Sequence, residues 1–383
     1  MIERYLKSRR KHFEYDEDED IAEMIPFFHE KNIEVIVINS PSARNEIVRS
    51  NGQNWTIIWD TFFWRSFEKF AMLTMSICTC KHSKEDYELQ LDYLEAVLYE
   101  FLSLKYKHSQ PRVSLCFAKQ SLNNKYNYID FERSKTKPLD ILVKTAKLNL
   151  LSHELAHVTF DRHQQLENEI TSIVKEYLTY LSQIEGIYEE YSRYPEMKNV
   201  LDAIPDFVRG QDNNLLSELV DDVYSFIEGL EFVTQQFDNK ELATVYIYGA
   251  LLLRDFNGFA NSANGVVETC LKYQRKNVDI YNPVIQKTNY VGFFRYTLYS
   301  PLILFSLTQL YKENGIIYED FKRITEPITE FQELYNGYVV PRLDYILRYA
   351  LHHLVYNILG KKNLDNCVCI DKIVEFLFED TRF

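Results

Sequence analysis

His153-Glu154-Leu155-Ala156-His157 sets two imidazoles four residues apart with a carboxylate between them. Residues four apart share one face of an α-helix, so both rings can reach a single metal ion. Glu154 is turned about 100° from His153 and can hold a water at that ion's open position. A metal that acidifies water and a glutamate that takes its proton are the working parts of a zinc hydrolase.

These side chains need a helix to carry them. Pro138 suits a first helical position, and Asp140 falls in the first turn, where the helix dipole favours an anion. Leu139, Leu142, Val143, Ala146 and Leu150 then follow helical spacing, and His153 and His157 continue the same stripe. The spacing therefore predicts a helix whose imidazoles point inward.

A catalytic zinc usually has three protein ligands. One option for the third is Glu218, in Leu215-Leu216-Ser217-Glu218-Leu219-Val220-Asp221-Asp222. Asp212 or Asn213 can cap this segment, and Leu215, Leu219, Val223, Phe226 and Leu230 form its apolar face. Glu218 and Asp222 lie four apart, so one carboxylate can reach the metal while the other accepts the far N–H of a ligand histidine. Asp221 alone would suit a solvated acidic face. The other option is His163, whose offset from His153 and His157 equals that of the metzincin pattern H-E-x-x-H-x-x-G-x-x-H. That pattern needs a sharp turn at its glycine, and this chain has Phe160 there, for which positive φ is costly. On a continuing helix His163 would sit roughly 240° around from His157 and about 9 Å farther along, pointing away.

With H-E-x-x-H on one helix and E-x-x-x-D on another, residues 139 to 230 resemble the gluzincin group of zinc metallopeptidases. The resemblance implies His153, His157 and Glu218 as Zn2+ ligands, Glu154 as general base and Asp222 as the partner of a ligand histidine. It implies a zincin-like fold and hydrolysis of peptide bonds in a specific protein. The interval between His157 and Glu218 is long for thermolysin-like members, and Asn213 does not stand beside the glutamate as their asparagine does. The resemblance is to the group and not to a family within it.

Two other readings stay open: a zincin-like scaffold that binds a partner without catalysis, and a hydrolase of a non-peptide amide. A structural zinc has no need of Glu154, which speaks against the scaffold. The tetrahedral oxyanion of an acyl-transfer step needs a donor besides the metal. Tyr224, Tyr246, Tyr248, Arg295, His352 and His353 are chemically suitable, and sequence does not choose among them.

The expected fold class is α+β and predominantly helical, with a small N-terminal sheet, an active-site helix and a helical C-terminal part. Residues 33–38 and 55–59 read as strands, and 112–118 as a third through the alternation of Val113, Leu115 and Phe117. Residues 126–131 are nominated as the edge strand that receives a substrate backbone. Helices are expected from Asp60 through Phe70 and over 85–107, 163–185, 213–237, 240–255, 287–311 and 340–359. The basic run Lys7 to His12 beside acidic Glu14 to Asp20 reads as a polar arm covering 1–27, and 28–383 as one unit, mixed to 135 and helical from 136.

A net charge of −13 argues against a nucleic-acid partner, because phosphate binding needs clustered Lys and Arg. The first twenty residues have no signal-like apolar core, and the most apolar stretch, Val291 to Leu307, is broken by Arg295 and Pro301. The expectation is a cytoplasmic protein with no membrane partner, acting on a protein or peptide substrate and restrained by narrow specificity or by an activator or inhibitor protein. The Cys78/Cys80 and Cys367/Cys369 pairs are too closely spaced for easy disulfides and read as free thiols.

Overall fold

The computed structural model describes residues 2–9, 12–42, 44–51, 54–79, 83–123, 137–183, 213–237, 240–274, 302–303, 328 and 330–351. It is predominantly helical with one four-stranded sheet. The chain forms two compact units. One is made of Met1–Asp140, Phe259–Asn289 and Thr329–Phe383, the other of Ile141–Gly258 and Tyr290–Ile328. Residues 28–383 were expected as a single unit. No described helix is long and apolar enough to cross a membrane.

The first unit holds the sheet. Its elements are α1 (Ile2–Arg9), β1 (Glu14–Tyr15), α2 (Glu19–Glu30), β2 (Ile33–Asn39), β3 (Glu46–Asn51) and β4 (Asn54–Asp60), followed by α3 (Thr61–Thr79), α4 (Lys84–Tyr106) and α5 (Pro111–Asn123). Strand order is β1-β2-β4-β3. Ile33 to Ile38 pair in parallel with Trp55 to Asp60, while β1 joins β2 and β3 joins β4 in antiparallel register. β4 is buried continuously from Thr56 to Asp60, as expected of a central strand, while β2 is buried at Ile33 and Ile38 and half-buried from Val35 to Val37.

Residues 2–27 supply α1, β1 and most of α2, where a polar arm was expected. Leu6 and Ile21 are fully buried, and Leu6 packs with Ile38 and Ile58. Lys7, Glu14, Glu17 and Glu19 are exposed, so net composition concealed a few deeply inserted apolar residues.

Residues 112–118 are not a strand but the middle of α5. Ser114, Phe117 and Ser121 are buried along with Val113, a helical spacing, and Ser114 Oγ donates to the Ser103 carbonyl of α4 at 2.7 Å. Seven residues with alternating apolar positions fit either period. Pro111 at the first helical position and the broad face of α4 decide for helix. Residues 126–131 lie outside the described residues.

The second unit carries α6 (Lys137–Arg162, entered from the first unit at Ile141), α7 (Gln164–Gln183), α8 (Asn213–Phe237) and the part of α9 (Lys240–Gln274) before Phe259. The expected helix 240–255 thus continues to Gln274. In the first unit, a final described segment winds as π-helix over Tyr335–Val339 and Ile346–Ala350 around a short α10 (Val340–Tyr345). Of the helix expected over 287–311, only 302–303 are described.

Candidate metal centre

Two glycines let the helices that build the site approach closely. A Cβ on Gly249 of α9 would lie 3.0 Å from the Leu142 carbonyl oxygen and 3.1 Å from the Ala146 nitrogen of α6. A Cβ on Gly229 of α8 would collide with the ring of Tyr246. Tyr246 is fully buried and ties three helices. Its hydroxyl accepts from Asn149 Nδ2 of α6 at 3.0 Å and faces the Ser225 and Phe226 carbonyls of α8, each at 3.3 Å.

On that frame α6 presents its stripe as the spacing predicts: Leu142, Ala146, Leu150 and His153 are all buried. His153 and His157 stand with ring centroids 5.0 Å apart and planes at 82°. Across from them, Glu218 Oε2 of α8 lies 3.6 Å from His153 Nε2. His153, His157 and Glu218 each offer a ligand atom, all within 4.8 Å of one another, and this group can hold a metal ion. Ligand atoms at about 2.0–2.1 Å from a tetrahedral ion are about 3.4 Å apart, so the donors present fit such an ion after small side-chain adjustments.

The far nitrogens are also occupied. His153 Nδ1 is 2.9 Å from Asp222 Oδ1, and His157 Nδ1 is 3.0 Å from Asp221 Oδ2. Helix geometry explains why adjacent aspartates serve two histidines. Asp221 and Asp222 lie one turn beyond Glu218, about 60° to one side and about 40° to the other. Glu218 thus points between them, toward the ion, and each aspartate reaches the outer edge of one imidazole. Asp222 is fully sealed and is further ion-paired with Arg254 of α9, itself buried.

Burial disfavours the charged form of His153, but the Asp222 carboxylate outweighs it and the imidazole is held above its ordinary range. His157 shows the same contest: burial lowers it, and Asp221 wins, taking it to about 9 without a metal. Glu154 is buried, and loss of solvation raises its carboxyl above the usual range despite both imidazoles nearby. Among the described residues, the group is unevenly covered. The side chains of His157 and Glu218 are 27% and 38% exposed, against 6% for His153.

His163 is not brought to this group. α6 runs without a turn through Phe160, whose buried ring packs on Tyr224 with centroids 4.9 Å apart, and His163 follows the helix end on the surface. Of the proposed oxyanion donors, Tyr246 has its hydroxyl committed to helix carbonyls. Burial, aided by Glu228, pushes the Tyr224 hydroxyl up to about 12. Arg295, His352 and His353 lie outside the described residues. So do Cys80, Cys367 and Cys369, while Cys78 and Cys116 are free thiols raised by burial to about 12 and about 11.

Two members of the site were missed from sequence. Asp221 looked solvent-facing because spacing alone does not choose between adjacent aspartates. Arg254 ends the apolar run Ala250-Leu251-Leu252-Leu253, and a lone arginine there was a usable signal, since buried arginines are paired. Comparison with protein-family models, with curated proteins and with solved structures returns no match to this chain.

Proposed function

We propose that this protein is a zinc-dependent hydrolase of peptide bonds with a gluzincin-like site: His153, His157 and Glu218 hold the metal and Glu154 is the general base. The observation that carries this reading is the convergence of His153, His157 and Glu218 within 4.8 Å beside a buried Glu154. Zinc, when bound, supplies Lewis acidity toward a carbonyl and acidifies water.

The chain's own residues account for the remaining steps. Glu154 sits on the ligand helix one residue from His153, where it takes a proton from the attacking water and passes it to the leaving amine. Asp222 and Asp221 hold the imidazoles by Nδ1, which would leave Nε2 of each for the ion. The exposed edges of His157 and Glu218 mark the side from which an extended peptide enters.

The test is a peptide-library digest read by mass spectrometry, with zinc measured per chain. Wild type is expected to bind one zinc and cleave. Glu154→Gln should keep the zinc and lose about 10²- to 10⁴-fold in rate. A wild type that binds zinc and cleaves no peptide, but hydrolyses other amides, would move the substrate class. A wild type that binds no zinc would end the hydrolase reading.

A further inference from the structure

Arg254 is 2% exposed and lies deep in the helical unit. A buried guanidinium is a poor device for stability, because desolvation offsets much of what the ion pair contributes and an apolar side chain of similar size often serves as well. Its surroundings give it another use. Arg254 Nη2 and His153 Nδ1 converge on the same oxygen, Asp222 Oδ1, and Nη2 lies 3.3 Å from Nδ1 itself.

That convergence fixes the imidazole's orientation. A ring nitrogen 2.9 Å from a carboxylate oxygen must carry the proton, since two acceptors at that distance repel. With the proton on Nδ1, Nε2 is the nitrogen directed toward Glu218. Without its anchor, the Asp222 carboxylate is free to rotate away from Nδ1, and the ring loses the contact that turns Nε2 toward Glu218. Among the described residues the second histidine lacks this reinforcement: Asp221 Oδ2 is buried beside His157 Nδ1 with no further donor there.

We propose that Arg254 is a positioning residue for the metal centre: it anchors Asp222 against Nδ1 of His153, so that Nε2 is committed to the metal side before any metal arrives. The proposal rests on the hydrolase reading for the identity of the ion but not for the geometry of the imidazole.

The experiment uses the full chain as wild type, Arg254→Met and Arg254→Lys, with folding followed by circular dichroism. Zinc affinity is measured by competition with a chromophoric chelator. In metal-free protein with ¹⁵N-labelled histidine, NMR reports which ring nitrogen of His153 carries a proton protected from exchange. Wild type should show a protected proton on Nδ1. Arg254→Met should lose that protection and bind zinc about 10- to 100-fold more weakly. Arg254→Lys, which keeps the charge but not the planar fork, should fall between.

A wild-type His153 with no proton on Nδ1 would overturn the proposal. So would a folded Arg254→Met with wild-type zinc affinity and an unchanged Nδ1 signal. If Arg254→Met does not fold, Arg254→Lys decides, and wild-type affinity in that variant counts against the proposal. A wild type that binds no zinc yet shows the protected proton would end the hydrolase reading while leaving the role of Arg254 in orienting His153 supported.

Discussion

Asp60 in the sheet unit and Asp222 in the helical unit are both sealed from solvent, yet they are satisfied in opposite ways. Asp60 Oδ1 accepts from the backbone nitrogens of Ser40 and Phe62. Its Oδ2 accepts from Ser42 Oγ and the Arg44 nitrogen. Those partners are loop and helix-cap groups, so Asp60 closes the turn after β2 and starts α3. Asp222 is met by an imidazole and a guanidinium. Asp60, held mostly by main-chain donors, shapes backbone; Asp222, held by ionisable side chains, orients an imidazole. Burial alone does not distinguish them, and the partners do.

The comparison predicts separable losses. Asp60→Ala leaves several loop and cap donors without their acceptor and should destabilise the protein by about 3 kcal/mol. Chemical denaturation would show the loss while zinc per folded chain stays at the wild-type value. A fall in bound zinc at unchanged stability would break the distinction.

Asp221→Asn should have the converse signature. It keeps the shape, removes the charge beside His157, and is expected to weaken zinc binding about 10-fold with little change in stability of the zinc-loaded protein. An unaltered zinc dissociation constant would mean that Asp221 serves the fold, as Asp60 does.

The smallest effect concerns pH. Lys105 of α4 donates to the Ser42 carbonyl at 3.2 Å, in the loop that Asp60 closes, and burial lowers its ammonium to about 8 from 10.5. Between those values the unfolded chain binds the proton that the folded one releases, so stability rises with pH from about 8 to 10.5. Lys105→Met should remove that rise, on the order of 1 kcal/mol once solvent screening is allowed for. Denaturation curves at pH 8 and pH 10 for both proteins, if parallel, would show that Lys105 titrates as an ordinary surface lysine.

Sequence reading succeeded where one element carries the whole signal. The stripe from Leu139 to His157 defined α6 and its inward-facing imidazoles, and the spacing of Glu218 to Asp222 put both carboxylates on one face of α8. It failed where two elements must be known together. Residues 112–118 satisfied two periodicities until the face of α4 chose between them. The β1 pair and the β3 strand are short and polar, and only pairing with β2 and β4 reveals them.

The same division runs through the site. Residue types and i, i+4 spacing within α6 and α8 settled which candidate side chains share a face, because a helix fixes direction locally. The crossing of α6, α8 and α9 at Gly229 and Gly249 decided the rest. It seated Glu218 opposite His153 and left His163 outside. It gave each aspartate its own histidine and brought Arg254 to Asp222 across more than thirty residues of chain. Close approach of three helices depends on every side chain in their contact surfaces, and no single window of sequence contains that information.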